Sequence, residues 1–380
     1  MELTNQQIGG SNYFVGPTSP STESDQPELE SINRAALDHL NSLCVVIPAK
    51  NEGRVLAKSI VSVLTAGCAP QDIYVIDDGS SDDTAGSARQ LGVHVLSNHT
   101  SIGKAPSIRR AIELFDLCSR YEYISVVDAD TQVDRDYFKS LVASFKANPK
   151  AALVCGRVES LPCNWATAGR AFDYLFGQSV HKNGQNKMKV VLVAPGCAST
   201  WKADVLVRLE CDPAMLTEDM DMTVQIHRQR LGEIVYESKA IVYTQDPNTL
   251  RGYVRQSYRW YFGLWQVLRK HSLPFRFKRL DFEVALLVLE GLIFSAAFAA
   301  SPIIIMLAPR TALSIAVADQ VMMAVFALYF AFKTRRKDIA LYFPAFAVLR
   351  YATSLVFGWT FIKAVIFRVP RPDWFTPARY

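Results

Sequence analysis

Two carboxylates that follow a short apolar stretch are the strongest chemical signal in this sequence. Residues 123–127 read as a buried β-strand, and Asp128 and Asp130 come directly after it. Alternate residues of an extended chain point the same way, so both carboxylates can face one ion. Oxygen ligands at the carboxyl end of a strand suit a hard divalent cation that holds a phosphate, Mg²⁺ or Mn²⁺. The alternative is an acidic loop in which Asp130 or Thr131 caps a following helix.

Polar residues also follow the first predicted strand, at residues 43–47. Pro48 ends this strand and stiffens a turn that carries Asn51 and Glu52. Their side chains can reach a nucleobase or a ribose. The alternative is structural, because Asn51 and Glu52 can instead cap the helix that follows.

The second predicted strand, at residues 72–76, ends in acids and turn residues. Asp78 can accept a hydrogen bond from a uracil or ribose group, while residues 80–83 are typical of helix capping. Both interpretations fit different residues of one motif.

Lys104 follows Gly103 at the predicted start of a helix, where it can meet an anionic or nucleotide ligand. A solvated lysine is the alternative. The sequence contains neither a Gly-x-x-x-x-Gly-Lys-Ser/Thr loop nor a Gly-x-Gly-x-x-Gly fingerprint, which argues against a P-loop enzyme and against a dehydrogenase.

A third acidic cluster begins a helix predicted at residues 217–230. Thr217 can cap this helix and the acids suit the positive end of its dipole, which is a sufficient structural reason for them. The functional interpretation makes one of them a general base. Asp219 and Asp221 point away from each other on a helix, so only one of the two can serve.

Gln256, Arg259 and Trp260 share one face of a long aromatic-rich helix predicted at residues 250–268. An arginine beside a tryptophan and an amide fits a diphosphate and a sugar ring. The alternative is an amphipathic helix on the membrane surface, and the two interpretations can hold on different faces.

These motifs lie on strands that alternate with helices. The alternation predicts an α/β fold with a mostly parallel sheet covered by helices on both faces, and it brings the ends of strands one, two and four to one rim. Further strands are predicted at residues 93–96, 151–156 and 233–236, and further helices at residues 54–66, 83–91, 105–118 and 166–179.

The chain has 380 residues, of which 50% are hydrophobic and 20% charged, and the apolar excess follows Phe282. Residues 282–307 and 312–332 are each long enough to span a bilayer. Glu290 and Asp319 interrupt them and should face protein. The basic segments that flank this pair of spans indicate the cytoplasmic side. A third apolar stretch, 339–367, has basic residues at both ends, which favours an interfacial or re-entrant segment over a third span.

The remaining composition narrows the class of protein. Residues 1–42 are acidic and rich in Ser, Thr, Pro and Gly, so we expect disorder there, and no signal peptide is visible. The seven cysteines are scattered and read as reduced cytosolic thiols. Basic clusters beside apolar segments favour a membrane surface over nucleic acid, for which no module pattern appears.

Taken in order, the NE, DDGSSDD, GKA, DAD, TED and QxxRW motifs resemble family 2 glycosyltransferases of the membrane polysaccharide synthase branch. That branch includes cellulose, chitin, hyaluronan and poly-N-acetylglucosamine synthases. The resemblance covers roughly residues 43–268. It implies a GT-A nucleotide-sugar-binding fold and an inverting transfer from a UDP-sugar, most readily UDP-N-acetylglucosamine or UDP-glucose, with Mn²⁺ or Mg²⁺ as cofactor.

The resemblance also implies a role for each motif. Asp78, Lys104 and Asp128 would hold the nucleotide sugar beside Pro48, Asn51 and Glu52. Asp128 and Asp130 would hold the metal–diphosphate, with Asp130 the direct ligand. Asp219 would deprotonate the acceptor hydroxyl, and Gln256, Arg259 and Trp260 would secure the diphosphate and the acceptor end.

The expected organisation is a tail at 1–42, a glycosyltransferase domain at 43–268, a basic interfacial hinge at 269–281 and a membrane region at 282–380. The protein would be an integral membrane enzyme with a cytoplasmic catalytic domain and a glycan or glycolipid acceptor. Two spans are fewer than exporting synthases of this branch have, so the chain could form an oligomer, use a membrane partner, or transfer single sugars to a lipid-linked acceptor. A third alternative is an inactive subunit of a synthase complex.

Overall fold

A computed structural model describes residues 42–276 and 278–372, so the predicted tail at 1–42 lies almost wholly outside the described residues. One eight-stranded sheet with its helices makes up the region before residue 271, and three long helices follow it. The strands are β1 Leu43–Ala49, β2 Ile73–Asp77, β3 His94–Ser97, β4 Tyr123–Val126, β5 Thr131–Val133, β6 Ala151–Ser160, β7 Ser199–Lys202 and β8 Glu233–Thr244. The helices are α1 Leu56–Thr65, α2 Thr84–Arg89, α3 Lys104–Leu114, α4 Leu117–Arg120, α5 Tyr137–Ala147, α6 Trp165–Gly177, α7 Asn183–Met188, α8 Ala203–Leu206, α9 Glu218–Gln229, α10 Leu250–Lys270, α11 Arg279–Leu307, α12 Pro309–Thr334 and α13 Lys337–Phe361.

The sheet is buried on both faces, as its continuous apolar strands predict. Val45 and Ile47 of β1 pack in one core with α1 and α5, while Val46 packs in the opposite core with α3 and α9. Successive side chains of a strand point to opposite faces, so one apolar run supplies both cores. The predicted α/β fold with helices on both faces is confirmed.

The sheet is mixed, with the strand order β3-β2-β1-β4-β7-β6-β8-β5. Strands β3, β2, β1 and β4 run parallel, as predicted, and β6 runs parallel to β8. Strand β7 runs antiparallel to both β4 and β6, and β5 runs antiparallel to β8. The parallel half carries the predicted rim, because the carboxyl ends of β1, β2 and β4 lie at one edge.

Several predicted boundaries were wrong. Strand β1 continues through Pro48 to Ala49 instead of stopping at the proline. The helix predicted at 105–118 is two helices, because Asp116 adopts a left-handed backbone conformation with φ of 48°. Asp130 precedes strand β5 and Thr131 begins it, so neither residue caps a helix and the capping interpretation was also wrong.

Three helices after the sheet domain, at Arg279–Leu307, Pro309–Thr334 and Ile339–Ile366, are long and apolar enough to cross a membrane. Helices α11 and α12 form a hairpin whose tip is exposed and apolar, with Leu307 80% exposed. Asp319 pairs with Arg350 of α13, so it faces protein as predicted. Glu290 is exposed and lines a cavity described below.

Helix α13 packs along the sheet domain over much of its length. Gly169 of α6 lies against Leu349 and Ala345. Farther along, Tyr253 Oη and Thr353 Oγ1 are 2.7 Å apart, and the Trp265 indole N–H donates to Thr360 at 3.0 Å. Helix α6 thus meets residues 345–349, and α10 meets residues 353–364.

Candidate active site

A cavity of about 1570 Å³ opens at the carboxyl ends of β1, β2 and β4 and continues along α10, α11 and α13. The sequence motifs come from six separate chain segments, and the fold brings them to this one cavity. All eleven candidate site residues line it: Pro48, Asn51, Glu52, Asp78, Lys104, Asp128, Asp130, Asp219, Gln256, Arg259 and Trp260.

The loops after β1 and β2 are bound to each other. The Asn51 N–H donates to Ser80 Oγ at 2.9 Å, and the Asn51 side-chain oxygen accepts from the Ser81 N–H at 2.8 Å. The Glu52 N–H donates to Thr84 Oγ1 at 3.0 Å. Helix α1 begins without a side-chain cap, so the capping interpretation of Asn51 and Glu52 was wrong. These contacts hold the two loops together at the mouth of the cavity.

Asp78 is 5% exposed, and both of its carboxylate oxygens are occupied by protein donors. Burial alone would raise its pKa, but the hydrogen bonds from the Ile102 N–H and from neighbouring side chains outweigh burial and lower the pKa. Asp78 therefore holds the segment that leads into α3. The donors are the side chains of Asn98, Ser101 and Ser107 and the N–H groups of Ile102 and Gly103.

Lys104, the first residue of α3, joins the acidic motifs. Its Nζ lies 2.6 Å from Asp128 Oδ1 and 3.6 Å from Glu218 Oε1. Burial alone would lower the pKa of Lys104, but the Asp128 and Glu218 carboxylates outweigh burial and raise the pKa, so the ammonium is charged at neutral pH. The interpretation of Lys104 as a solvated surface lysine is wrong.

Asp128 and Asp130 offer two carboxylates to a divalent cation. The Asp128 side chain is 34% exposed to the cavity, and Asp130 is 8% exposed. Among residues 42–276 and 278–372, no third His, Cys, Asp or Glu completes a metal-binding group. Mg²⁺ is commonly held by one or two carboxylates together with substrate phosphates and water. The pair therefore fits a cation that arrives with a diphosphate.

Asp219 is held at the start of α9 by backbone groups. Its Oδ2 accepts from the Gly196 N–H at 3.0 Å and its Oδ1 from the Met220 N–H at 2.8 Å. Asp221 is 1% exposed and contacts Lys270 and His271 instead of the cavity. Only one of the two aspartates faces the site, as their spacing predicts.

Two features of this helix start were not predicted. Thr217 does not cap α9 with its side chain. Its side chain packs against Gly263 of α10, so closely that a Cβ at position 263 would lie 2.6 Å from it. Glu218 lies between Lys104 and Asp219, and burial raises its pKa, with a further contribution from the Asp219 charge. A helix start with three acids gave no means of predicting that Glu218 contacts Lys104.

Gln256 and Trp260 of α10 share a partner that the sequence motifs do not include. Arg170 of α6 is 3% exposed and donates to Gln256 Oε1 at 3.0 Å. Its guanidinium carbon lies 4.9 Å from the Trp260 ring centroid and 4.0 Å from that of Tyr253. Arg259, in the same helix, acts electrostatically on Glu218 and lowers its pKa against the larger effect of burial.

Comparison with known proteins agrees with this geometry. Residues 44–205 match the family described as glycosyl transferase family 2. The chain is 27% identical over 268 residues to the poly-beta-1,6-N-acetyl-D-glucosamine synthase of Staphylococcus aureus (strain COL), a match that covers 68% of this chain and 62% of that protein. The enzyme of the same name from Staphylococcus epidermidis (strain ATCC 35984) is 26% identical over 278 residues, which cover 70% of this chain and 64% of that protein.

The chain thus spans less than two thirds of the length of these curated relatives. Among solved structures, a mannosyltransferase from Pyrobaculum calidifontis, determined in complex with GDP-Man and Mn²⁺, superposes with a TM-score of 0.55 and 18% identity. That match covers 85% of this chain and 94% of the mannosyltransferase, and it shows the GT-A-like fold. Residues 44–205 therefore form a glycosyl transferase family 2 domain, and the resemblance to the two synthases supports the polysaccharide synthase branch.

Proposed function

We propose that this chain is a membrane-bound inverting glycosyltransferase that moves a sugar, N-acetylglucosamine or glucose, from a UDP-sugar to a growing polysaccharide. The observation that carries the proposal is that one cavity is lined both by residues that suit a metal–diphosphate and by a tryptophan that suits an acceptor sugar. Asp128, Asp130 and Lys104 would form the diphosphate end, and Trp260 would form the acceptor end. The name of the staphylococcal relatives supports a polysaccharide product.

At the donor end, the charged Lys104 and Arg259 would neutralise the departing UDP. Lys104 is already placed beside Asp128, where a diphosphate would arrive. Mn²⁺ or Mg²⁺, held by Asp128 and Asp130, would supply a Lewis acid for the diphosphate oxygens of the departing UDP. The hydrogen bonds of Asp78 keep the α3 start in place during this step.

At the acceptor end, Asp219 would act as the general base. The Gly196 and Met220 N–H groups fix its carboxylate, so it needs no reorganisation before it takes a proton from the acceptor hydroxyl. In-line attack from that side would invert the anomeric carbon. Gln256 and Trp260, held by Arg170, would position the acceptor sugar.

A lipid-linked acceptor is a second candidate, because the cavity continues between membrane helices. Leu287, Gly291 and Phe294 of α11 and Phe357 of α13 line that part. These apolar residues suit a lipid chain beside the sugar-binding end. In that case the enzyme would add one sugar and would not build a polymer.

The test is UDP release by the detergent-purified protein with a panel of UDP-sugars and Mn²⁺ or Mg²⁺. Removing a general base lowers the rate by roughly 10²–10⁴-fold, so Asp219→Asn should lose activity on that scale. Asp204→Asn removes an exposed carboxylate that does not line the cavity and should leave the rate unchanged.

The product then separates the candidates. A polymer supports the proposed function, and a single added sugar that requires lipid supports the second candidate. Full activity of a partner complex that contains Asp219→Asn would contradict both and would favour an inactive subunit of a synthase complex.

A further inference from the structure

A buried polar cluster lies behind the Trp260 side of the cavity. Its centre is Arg170, whose guanidinium stacks on Tyr253 and Trp260 and also lies 5.6 Å from the Tyr174 ring centroid. Asp246, which follows β8, is 2% exposed and accepts a hydrogen bond from Tyr174 Oη at 2.9 Å. Neither Arg170 nor Asp246 belongs to the motifs described above.

Two polar atoms of this cluster remain without ordinary hydrogen bonds. Within the described parts of the chain, neither Arg170 Nε nor Asp246 Oδ2 makes a hydrogen bond of normal geometry. Arg170 Nε and Asp246 Oδ1 are 3.8 Å apart, too far for a direct hydrogen bond. Buried acceptors are nearly always satisfied, so Asp246 Oδ2 can accept a hydrogen bond from one further group.

Asp246 lines the cavity, and so do Tyr174, Gln256 and Trp260. Arg170 does not line the cavity, so a group that enters from the acceptor side would meet Asp246 and not Arg170. A hydroxyl can donate to Asp246 Oδ2, which a purely anionic group cannot do. Two carboxylates, Asp246 and Asp173, surround the single guanidinium, so a phosphate would be repelled.

We propose that Asp246 and Arg170 form a binding subsite for one hydroxyl group of a neutral acceptor sugar that lies against Trp260. Asp246 makes the direct contact. Arg170 is mainly a positioning residue, because its side chain connects Asp246, Gln256 and Trp260 in one unit. This subsite rests on the proposed function and specifies how the acceptor end recognises its sugar.

The experiment measures binding of an N-acetylglucosamine trisaccharide to the purified full-length protein by titration calorimetry, together with acceptor and donor KM in the UDP-release assay. Asp246→Asn and Arg170→Lys should each weaken trisaccharide binding and raise the acceptor KM by roughly tenfold or more, the usual effect of losing a charged hydrogen bond. The donor KM should stay within about twofold, since the diphosphate end is untouched.

Arg228→Lys is the matched control. Arg228 forms another buried pair, with Asp281 at 2.8 Å, and it does not line the cavity. This substitution should lower thermal stability without changing trisaccharide binding. It separates loss of a contact from general damage to a buried arginine site.

Monodeoxy trisaccharides distinguish a sugar hydroxyl from a water molecule at the subsite. The wild type should bind one deoxy analogue roughly tenfold more weakly than it binds the parent sugar. The Asp246→Asn variant should bind that analogue and the parent sugar equally well. If every analogue loses equally in both proteins, a structural water occupies the position and the subsite is wrong. Saccharide binding without any transfer would refute the proposed function alone. Transfer that is insensitive to Asp246→Asn would refute the subsite, and so would the absence of saccharide binding by the wild type.

Discussion

The carboxylate of Asp78 accepts hydrogen bonds from the turn that precedes Lys104. The N–H groups of Ile102 and Gly103 contact its two oxygens at 2.8 and 2.9 Å. Because Lys104 is the next residue, the same hydrogen bonds set the position of the ammonium beside Asp128. Asp78 can thus affect diphosphate binding through Lys104 without touching the nucleotide.

Asp78→Asn should therefore reduce stability as well as donor binding. The amide nitrogen of asparagine would face at least two of these donors, which leaves them unsatisfied and costs about 3 kcal/mol of unfolding free energy. The measurement is the thermal unfolding midpoint in detergent together with the donor KM. We expect a lower midpoint and a higher KM in the same variant.

Asp83→Asn is the control, because Asp83 lies in the same acidic loop and is exposed, and its side chain does not cap α2. Its unfolding midpoint should match that of the wild type. If Asp78→Asn also unfolds at the wild-type midpoint but loses donor affinity, then Asp78 contacts the nucleotide directly and the positioning role is wrong.

Single residues also show which parts of the site a sequence can reveal. Asp128 and Asp130 stand in a short motif at a predicted strand end, and their spacing alone indicated that they could act together. Asp219 was joined to them only by the family resemblance. Arg170 has no such motif and contacts Gln256, which lies 86 positions later in the sequence. Its contact depends on how α6 packs on α10, which no local pattern encodes. The one local signal is a charged residue whose immediate neighbours in the helix are small and apolar.

At the scale of elements, the long apolar strands and periodic helices were predictable, and the short pairing strands were not. Strands β5 and β7, with the sequences TQV and STWK, each contain a single apolar residue, so neither shows the apolar run that predicts a buried strand. Their place in the sheet comes from pairing with β8 and β4, far away in sequence. Helix α5 was also not predicted, although its buried residues follow a helical spacing that is sufficient to predict it.

Helices α9 and α10 are joined by one buried ionic contact next to the site. Asp221 of α9 lies 3.0 Å from Lys270 Nζ and 2.7 Å from His271 Nε2, at the end of α10. Burial alone would raise the pKa of Asp221, but the hydrogen bonds from His271 and Lys270 outweigh burial and lower the pKa. Lys270 also contacts Asp212 at 3.4 Å. The contact fixes the helix with Asp219 against the helix with Trp260.

This contact should make stability depend on pH at the acid end. A carboxyl whose pKa is lower in the folded state stabilises the protein fully above its unfolded pKa of about 3.9 and loses that effect as pH falls through the folded value. Asp221→Asn should therefore cost about 3 kcal/mol at pH 7, and the difference from wild type should shrink below about pH 4. Unfolding midpoints measured across pH for both proteins test this.

Asp212→Asn is the matched control for that series. It removes the more exposed carboxylate from the same lysine, so it should cost no more than about 1 kcal/mol at pH 7. A constant difference between wild type and Asp221→Asn from pH 7 to pH 3 would show that packing, and not the charge of Asp221, joins the two helices.

For the whole molecule, the contacts of α13 bear on how the chain meets the membrane. Before this helix begins, Arg336 lies 3.5 Å from Glu159 of the sheet domain. After it ends, the Arg371 side chain donates to the Pro213 carbonyl at 2.8 Å. Both ends therefore touch the sheet domain, although the helix is long and apolar enough to span a bilayer. The hairpin of α11 and α12 extends away from that domain.

We therefore expect the α11–α12 hairpin to enter the membrane and α13 to lie along the membrane face of the sheet domain, with that domain in the cytoplasm. Bacterial alkaline phosphatase, which is active only outside the cytoplasm, reports the side of each fusion point when the protein is expressed in a bacterial host. A fusion after Ala308, at the hairpin tip, should be active, whereas a fusion after Arg335 or after Pro372 should be inactive. An active fusion after Pro372 would show that α13 crosses the bilayer. Arg371 and Pro213 would then lie on opposite sides of the membrane, so the contact between them could not persist there.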